Sequence, residues 1–198
     1  LIVSDEIYEH ISFTGTHESI AQFDFIKDQV ITVNGVSKGF AMTGWRIGYM
    51  GAPKWIADAC IKMQGQFTSG TCSIAQKAAQ AALEADPSCT TEMRKSFEKR
   101  RELVLSLMND IPGLKLNFPK GAFYVFPDVS NYFGKSDGET TINNATELTM
   151  YLLNKGLIAL VTGEAFGDPN CIRLSYAASE EILIEAIKRM KETLALLK

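Results

Sequence analysis

Two short apolar runs rich in β-branched residues constrain the fold of this chain more than any other feature. The run Leu1–Val3 leads straight into the polar residues Ser4–Glu6, a pattern typical of a strand buried in a parallel sheet. A second run, Val30–Val33, predicts another strand and leads into a glycine-rich segment. Because domain termini normally lie at the surface, a core strand at residue 1 predicts that the sequence is part of a longer protein.

The rest of the first half alternates strand and helix patterns. A third strand is predicted over residues 46–50. Pro53 suits the first turn of a helix that carries several apolar residues. Two more helices are predicted, one over residues 73–84 and one from about residue 88 to the turn at Pro112-Gly113.

The second half has shorter strands and two further helices. Strands are predicted over residues 114–118, 123–126, 157–161 and 172–175. One helix should end at Gly156, taken as the residue just after the helix, and Ser179 should cap the last helix. The whole pattern predicts an α/β protein that divides within the third helix. Residues 1–95 would form part of an α/β domain and residues 96–198 a small α+β domain.

Composition narrows the classes of function. The chain has 198 residues, 46% of them hydrophobic and 22% charged, with a net charge of −3. Without a basic run or a long apolar run, neither nucleic acid nor a membrane is an expected partner. The four cysteines form no CxxC pair, which favours a reducing, cytoplasmic compartment with buried free thiols. Only two histidines are present, so no metal site is expected.

The segment from Val33 to Tyr49 carries most of the functional argument. It combines a lysine, Lys38, with the adjacent Ser37 and with Arg46, among glycines at positions 35, 39, 44 and 48. A lysine amine can join to an aldehyde, while serine and arginine are good phosphate donors. Glycines allow the backbone to approach a ligand closely. An aldehyde and a phosphate on one small molecule describe pyridoxal 5'-phosphate (PLP).

This segment resembles the PLP-attachment signature of the class I and II aminotransferases, in the aspartate aminotransferase family of fold type I. The resemblance implies that Lys38 is the catalytic lysine that carries the cofactor, and that Ser37 and Arg46 hold its phosphate. The family often has a serine where this chain has Gly35, so one phosphate contact is expected to be missing.

The residues Asp5 and Tyr8 follow the first strand. A carboxylate beside the cofactor's ring nitrogen keeps that nitrogen protonated, and Asp5 lies at a strand end, where ligands of α/β sheets bind. By the resemblance, Asp5 takes this role and Tyr8 bonds the phenolic oxygen of the cofactor. Taken alone, an Asp-x-x-Tyr pattern is more often an ordinary strand-end turn.

Arg173 lies inside a short apolar strand, where an arginine needs a partner. A structural ion pair is one explanation. The resemblance implies another, because the family uses an arginine in an Arg-Leu-Ser-Tyr-Ala context to bind the α-carboxylate of the substrate. The stretches Lys120–Pro127 and Gly163–Gly167 also resemble the family's small domain, so the resemblance covers residues 1 to 198.

The resemblance implies a PLP-dependent aminotransferase that moves an amino group between an amino acid and a 2-oxo acid as a homodimer. Residues 1–95 would be the C-terminal part of the large PLP-binding domain and residues 96–198 the small C-terminal domain. The chain would then be the C-terminal half of the protein, without the phosphate cup, the stacking aromatic and a cofactor-binding asparagine. Alone it is expected to be inactive. A fold type I PLP lyase and the PLP-binding effector domain of a transcription regulator remain alternatives.

Overall fold

The computed structural model describes residues 1–198, and the chain divides into two compact units. Unit 1 comprises Leu1–Lys95 and unit 2 comprises Ser96–Lys198. The division falls within the third α-helix of the chain, which runs over Ser88–Asn109. Helices and strands occur in both units, so the fold is α/β.

Unit 1 contains a three-stranded sheet in which the middle strand is the second along the chain. The strands are β1 (Ile2–Asp5), β2 (Val30–Gly35) and β3 (Gly48–Gly51). Strand β2 pairs in parallel with β1 and antiparallel with β3. The predicted parallel strand at the start of the chain is therefore present. The strand was also predicted to be buried, and that was wrong: β1 is an edge strand and Val3 is 67% exposed.

The third predicted strand begins later than expected. Residues 43–45 form a turn of 3-10 helix, and Arg46 after it adopts a left-handed backbone conformation with φ of 56°. A residue in that conformation cannot continue a strand. The prediction for residues 46–50 was therefore wrong at its first two positions, and Arg46 belongs to the loop rather than to β3.

The helices of unit 1 are α1 (Lys54–Phe67), α2 (Ser73–Glu84) and the start of α3 (Ser88–Asn109). The predicted bounds of α2 are confirmed. Pro53 precedes α1 as its N-cap rather than lying in its first turn. In α1 only Ile56 is buried, and Trp55 and Met63 are exposed, so most of its predicted apolar face is not covered. No helix of the chain is both long enough and apolar enough to span a membrane.

Unit 2 contains a second three-stranded sheet with the last strand in the middle. The strands are β4 (Tyr124–Val125), β5 (Val161–Thr162) and β6 (Ile172–Ser175). Strand β6 pairs antiparallel with both neighbours. The predicted strand over 114–118 was wrong: only Lys115 bridges to the sheet region, through Asp128. An isolated bridge does not form a ladder, because the flanking residues have no cross-strand partners.

Two helices cover the core of unit 2 together with α3. They are α4 (Ala145–Gly156) and α5 (Glu180–Leu194), which pack against each other. Ser179 caps α5 as predicted, since its hydroxyl accepts from the Ile182 N–H. Five apolar residues at helical spacing along α5 and just after it are buried: Leu183, Ile187, Met190, Leu194 and Leu197.

Gly156 has a different role from the predicted one. The residue with positive φ after α4 is Leu157, at 54°, and Gly156 is the last helical residue. A Cβ on Gly156 would lie 2.9 Å from Oγ1 of Thr193 in α5. The glycine is therefore needed for the close approach of the two helices rather than for a left-handed turn.

Candidate functional site

Three strand ends of unit 1 meet at one edge of its sheet. Because β1 and β2 are parallel, their carboxyl ends lie side by side, with Asp5 opposite Val33. Strand β3 is antiparallel to β2, so it starts at that same edge, with Gly48 opposite Gly35. The topology thus brings Asp5 next to the single loop, residues 36–47, that connects β2 to β3. Ligands of open α/β sheets bind at such carboxyl ends.

A cleft of about 440 Å³ opens at this edge. Four of the five cofactor residues predicted in unit 1 line it, namely Asp5, Ser37, Lys38 and Arg46. Ser37, Lys38 and Arg46 belong to the one loop that connects β2 to β3, and Asp5 ends β1, so the fold brings two separate segments together at the cleft.

Tyr8 does not line this cleft. It lies in the turn after β1, where its carbonyl accepts a hydrogen bond from the Ile11 N–H. Two other polar residues do line the cleft and were not predicted, Asn34 and Thr43. Asn34 was detectable as the polar residue that follows an apolar strand, whereas Thr43 had no signal beyond its place in the glycine-rich segment.

The lysine loop is a compact turn held by its own backbone. The Ala41 N–H donates to the Lys38 carbonyl, and the Met42 N–H donates to the Val36 carbonyl. Beneath the loop, a buried cluster of Val36, Ile47, Ala75 and Ala79 anchors it to α2, with Phe40 and Met42 packed against it. The side chain of Lys38 is therefore presented by a loop whose two ends are fixed in the core.

Two of the glycines in this loop allow close packing within the protein. A Cβ on Gly35 would lie 2.9 Å from the Ile47 carbonyl oxygen, and a Cβ on Gly39 would lie 2.5 Å from the His10 ring. Gly44 has open space around it. Gly35 and Gly39 therefore let segments of the protein approach each other closely, and Gly35 also lines the cleft. Their role in ligand approach stays a prediction.

Arg46 is oriented by the turn before it. Its Nη1 donates to the Thr43 carbonyl at 2.8 Å, so the guanidinium is hydrogen-bonded to the first residue of the 3-10 turn. The side chain is exposed and lines the cleft. One N–H is used by this bond, and the other donors of the guanidinium fork can face an anion.

Asp5 and Glu6 are neighbours with opposite surroundings. Asp5 is exposed and its Oδ1 accepts from the Ile7 N–H at 3.2 Å. Glu6 is buried and accepts hydrogen bonds from Ser4, His17 and Ser19, at 3.0, 2.9 and 2.6 Å. Its own backbone N–H donates to the Val33 carbonyl. Glu6 therefore fixes the end of β1 to β2 and to the loop around residue 17.

The charge of Glu6 is stabilised by these bonds. Burial raises the pKa of its carboxyl, but the hydrogen bonds from Ser19, His17 and Ser4 outweigh burial and leave the pKa below its ordinary value. The sequence analysis did not single out this network. The donors to Glu6 are two to thirteen residues away in sequence, so no local pattern reveals them.

Arg173 of unit 2 lies against two aromatic rings. Its guanidinium carbon is 4.4 Å from the centre of the Tyr124 ring and 3.9 Å from that of Phe166. The ion pairs of the chain do not include Arg173, so the structural ion pair weighed from the sequence is absent. The partners of Arg173 in its strand are instead the faces of two aromatic rings, whose quadrupole attracts the guanidinium.

Two other kinds of site would be built from metal ligands or from paired cysteines. No group of three or more histidine, cysteine, aspartate or glutamate side chains is placed to hold a metal ion. All four cysteines are free thiols, and only Cys171 is buried. The expectation of buried thiols was therefore wrong for Cys60, Cys72 and Cys89, which are exposed.

Comparison with known families and proteins adds an independent line of evidence. The family model described as aminotransferase class I and II matches residues 1–190. The chain is 50% identical, over its whole length, to a bifunctional aspartate aminotransferase and glutamate/aspartate-prephenate aminotransferase of Petunia hybrida. It is 44% identical to an aspartate aminotransferase of Pinus pinaster, again over its whole length.

Solved structures show the same likeness. The crystal structure of the aspartate aminotransferase from Rhizobium meliloti superposes with a TM-score of 0.95 at 39% identity, over 99% of this chain and 50% of that one. An aromatic aminotransferase from Pyrococcus horikoshii gives a TM-score of 0.87 at 38% identity, over 98% of this chain and 51% of that one. The chain spans 42% and 41% of the Petunia and Pinus proteins, so it covers about half the length of these relatives.

Proposed function

Because this chain belongs to the class I and II aminotransferase family, we propose that it is part of a PLP-dependent aminotransferase. The reaction is the transfer of an amino group between an amino acid and a 2-oxo acid. Both curated relatives described above are named aspartate aminotransferases, which favours aspartate and similar dicarboxylic amino acids as substrates.

The observation that carries the proposal is the cleft at the sheet edge of unit 1. It gathers a carboxylate from the end of β1 and a lysine amine, a serine hydroxyl and an arginine guanidinium from the loop between β2 and β3. Each group matches one part of PLP: the amine fits its aldehyde, the hydroxyl and guanidinium its phosphate, and the carboxylate its ring nitrogen. The donor set therefore fits the cofactor.

In the proposed reaction, the bound cofactor supplies an electron sink for the bonds around the α-carbon of the substrate. Lys38 would carry the cofactor through its amine, and the same amine would serve as the base for the α-proton. Asp5 keeps the ring nitrogen protonated, and Ser37 and Arg46 hold the phosphate. Tyr8 is retained as a candidate for the phenolic oxygen, although it does not line the cleft in this structure.

Arg173 is proposed to bind the α-carboxylate of the substrate. A guanidinium offers two parallel donors in one plane, which match the two oxygens of a carboxylate. The absence of an ion pair leaves its donors available for such a ligand. The contacts with the two aromatic rings stabilise the positive charge of the guanidinium without using its N–H donors.

We propose further that the chain corresponds to the C-terminal half of the family's architecture. Unit 1 would then be the end of the large PLP-binding domain and unit 2 the small C-terminal domain. About half of each relative's length matches this chain. A homodimer that acts in the cytoplasm is part of the proposal, and the free thiols suit a reducing compartment.

The test uses the intact protein that contains this chain, purified with PLP. Each of a set of amino acids is added without an oxo acid, and the visible absorption of the cofactor is followed together with the oxo acid formed. A single turnover that yields oxo acid from aspartate supports the proposal. A protein that holds PLP but converts no amino acid would favour the effector-domain alternative, and release of ammonia would favour the lyase.

A further inference from the structure

We propose that Tyr124 and Phe166 are positioning residues for the guanidinium of Arg173, and that they orient it for a planar carboxylate. This inference rests on the proposed function of Arg173. The guanidinium carbon lies over both rings, 4.4 Å from the centre of Tyr124 and 3.9 Å from that of Phe166. No role for either ring follows from the sequence alone.

The position of Tyr124 is set by the register of the unit 2 sheet. Tyr124 in β4 lies opposite Ser175 in β6, and Arg173 is two residues along β6 from Ser175. Residues two apart on a strand point to the same face. Tyr124 and Arg173 are therefore diagonal neighbours on one face of the sheet, within reach of a long side chain and an aromatic ring.

The position of Phe166 is set by a rigid turn after β5. Phe166 ends a 3-10 turn over Gly163–Phe166, and Gly167 after it has a φ of 89°. The Gly163 N–H donates to the Cys171 carbonyl at 2.7 Å, and the Asp168 N–H donates to the Gly163 carbonyl at 3.1 Å. These bonds fold the turn back toward β6, so Phe166 reaches the guanidinium across the strand. The ring also meets Phe126 edge-on, with centroids 6.3 Å apart.

A guanidinium in contact with ring faces keeps its in-plane donors. All five N–H bonds of arginine lie in the guanidinium plane, and a cation–π contact with a ring face draws on the charge of the group without accepting a hydrogen bond from it. The ring contacts therefore restrict the rotation of the group without competing for its hydrogen bonds. A carboxylate that arrives in the plane finds two donors already oriented, which reduces the ordering cost of binding.

Arg101 of the same unit shows the contrast with a structural arginine. It too has an aromatic neighbour, since its guanidinium carbon lies 4.3 Å from the Phe118 ring. It is 5% exposed, and its nitrogens donate to Glu102, Glu98 and the Pro119 carbonyl. Arg101 is thus satisfied by groups of the protein. Arg173 has the rings without the carboxylates, which is the arrangement expected of an arginine that awaits an anion.

The experiment compares Phe166→Leu and Tyr124→Leu with Phe118→Leu in the intact PLP-loaded protein. The probe is 2-methylaspartate, an amino acid without an α-hydrogen, so its dissociation constant is measured by titration of the cofactor absorption without turnover. Phe166→Leu and Tyr124→Leu should each raise this constant about 5-fold, the weight of one partly desolvated cation–π contact. Phe118→Leu should leave it unchanged. Phe166→Tyr and Tyr124→Phe, which keep a ring, should restore wild-type affinity.

A second readout separates orientation from general damage. KM for both the amino acid and the oxo acid should rise while kcat stays within about twofold, because the rings act on carboxylate binding in ground and transition states alike. In an Arg173→Gln background, Phe166→Leu should have no further effect on the constant. An unchanged affinity in both leucine variants, or an equal loss in Phe118→Leu, would overturn the inference. The unaltered protein reports separately on the proposed function, since it must bind the probe and turn over aspartate.

Discussion

At the scale of single residues, the end of β1 divides two tasks between adjacent carboxylates. Asp5 is exposed and lines the cleft, whereas Glu6 is buried and hydrogen-bonded to three side chains. The alternation of side chains along an extended segment accounts for this division. A substitution at Asp5 should therefore affect the chemistry, and one at Glu6 should affect the stability of the strand end.

Asp5→Ala in the intact protein should lower kcat about 100-fold or more. The loss of one preorganised electrostatic contact typically costs roughly 10²–10³ in rate. Asp5→Glu keeps the charge and should lose less. Steady-state kinetics with aspartate and an oxo acid provide the measurement, and near-normal turnover of the alanine variant would show that Asp5 is only a strand-end residue.

Glu6→Gln should destabilise the protein at neutral pH and much less in acid. The pKa of Glu6 is lowered in the folded state, so its charge stabilises the fold above the unfolded-state pKa of about 4.3, and this contribution is lost as the pH falls through the folded-state pKa. The expected loss at pH 7 is roughly 1–3 kcal/mol, because a buried hydrogen-bond network is left incomplete.

Urea unfolding of the intact Glu6→Gln protein between pH 3 and pH 7 is the measurement. Glu18→Gln is the matched control, since Glu18 is exposed, lies in the same loop region and should change the unfolding free energy by less than about 0.5 kcal/mol. A Glu6→Gln loss that persists undiminished at pH 3 would contradict the account of the network.

At the scale of secondary-structure elements, the turn after β5 depends on one glycine. A Cβ on Gly163 would lie 2.4 Å from both the Asp168 and the Cys171 carbonyl oxygens, which are backbone atoms and cannot move aside alone. Gly163→Ala should therefore open the turn that carries Phe166.

Gly65 in α1 has open space around it, so Gly65→Ala is the matched control and should stabilise its helix by about 0.5–1 kcal/mol.

The measurement is the affinity of the intact protein for 2-methylaspartate together with its thermal midpoint. Gly163→Ala should weaken binding at least as much as Phe166→Leu and should lower the midpoint. Gly65→Ala should raise the midpoint slightly and leave binding unaltered. Equal midpoints for Gly163→Ala and the unaltered protein would show that the turn tolerates a side chain.

Helices with a periodic apolar face could be predicted from the sequence. Features whose conformation depends on one particular contact or turn could not. The helix over residues 73–84 and the buried side of α5 follow from helical spacing alone. The predicted strand over 114–118 was wrong because only Lys115 of that segment has a bridge partner. The left-handed Arg46 and the packing role of Gly156 depend on contacts that are distant in sequence or on turn geometry.

The site was predictable to a similar extent. Lys38, Ser37, Asp5 and Arg46 were selected mainly because their segments resemble the family's signature, and all four line one cleft. The Glu6 network and the aromatic contacts of Arg173 were missed. Both arise from pairing between strands or loops, for which a single sequence carries no local signal.

At the scale of the whole molecule, unit 1 carries a large uncovered apolar surface. Its exposed apolar side chains include Leu1, Val3, Trp55, Ile61, Met63, Phe67, Ile74 and Leu83. Exposed apolar side chains and unpaired strand edges both promote association between chains, and β1 is an edge strand. Residues 1–198 expressed alone should therefore self-associate, bind a hydrophobic dye and show no transamination with added PLP.

Light scattering, dye fluorescence and a coupled assay on that isolated chain would provide the measurement. The intact protein, assayed in parallel, should bind little dye and should be active. A monodisperse and fully active 198-residue chain would contradict this expectation.

The most direct test of the central claim is the identity of the lysine that carries the cofactor. Borohydride makes a link between a lysine amine and the PLP aldehyde permanent, and proteolysis with mass spectrometry then locates the modified residue. The account predicts that the pyridoxyl mass lies on Lys38 in the intact protein and disappears in Lys38→Arg. Modification of a different lysine, or none in a protein that turns over aspartate, would contradict it.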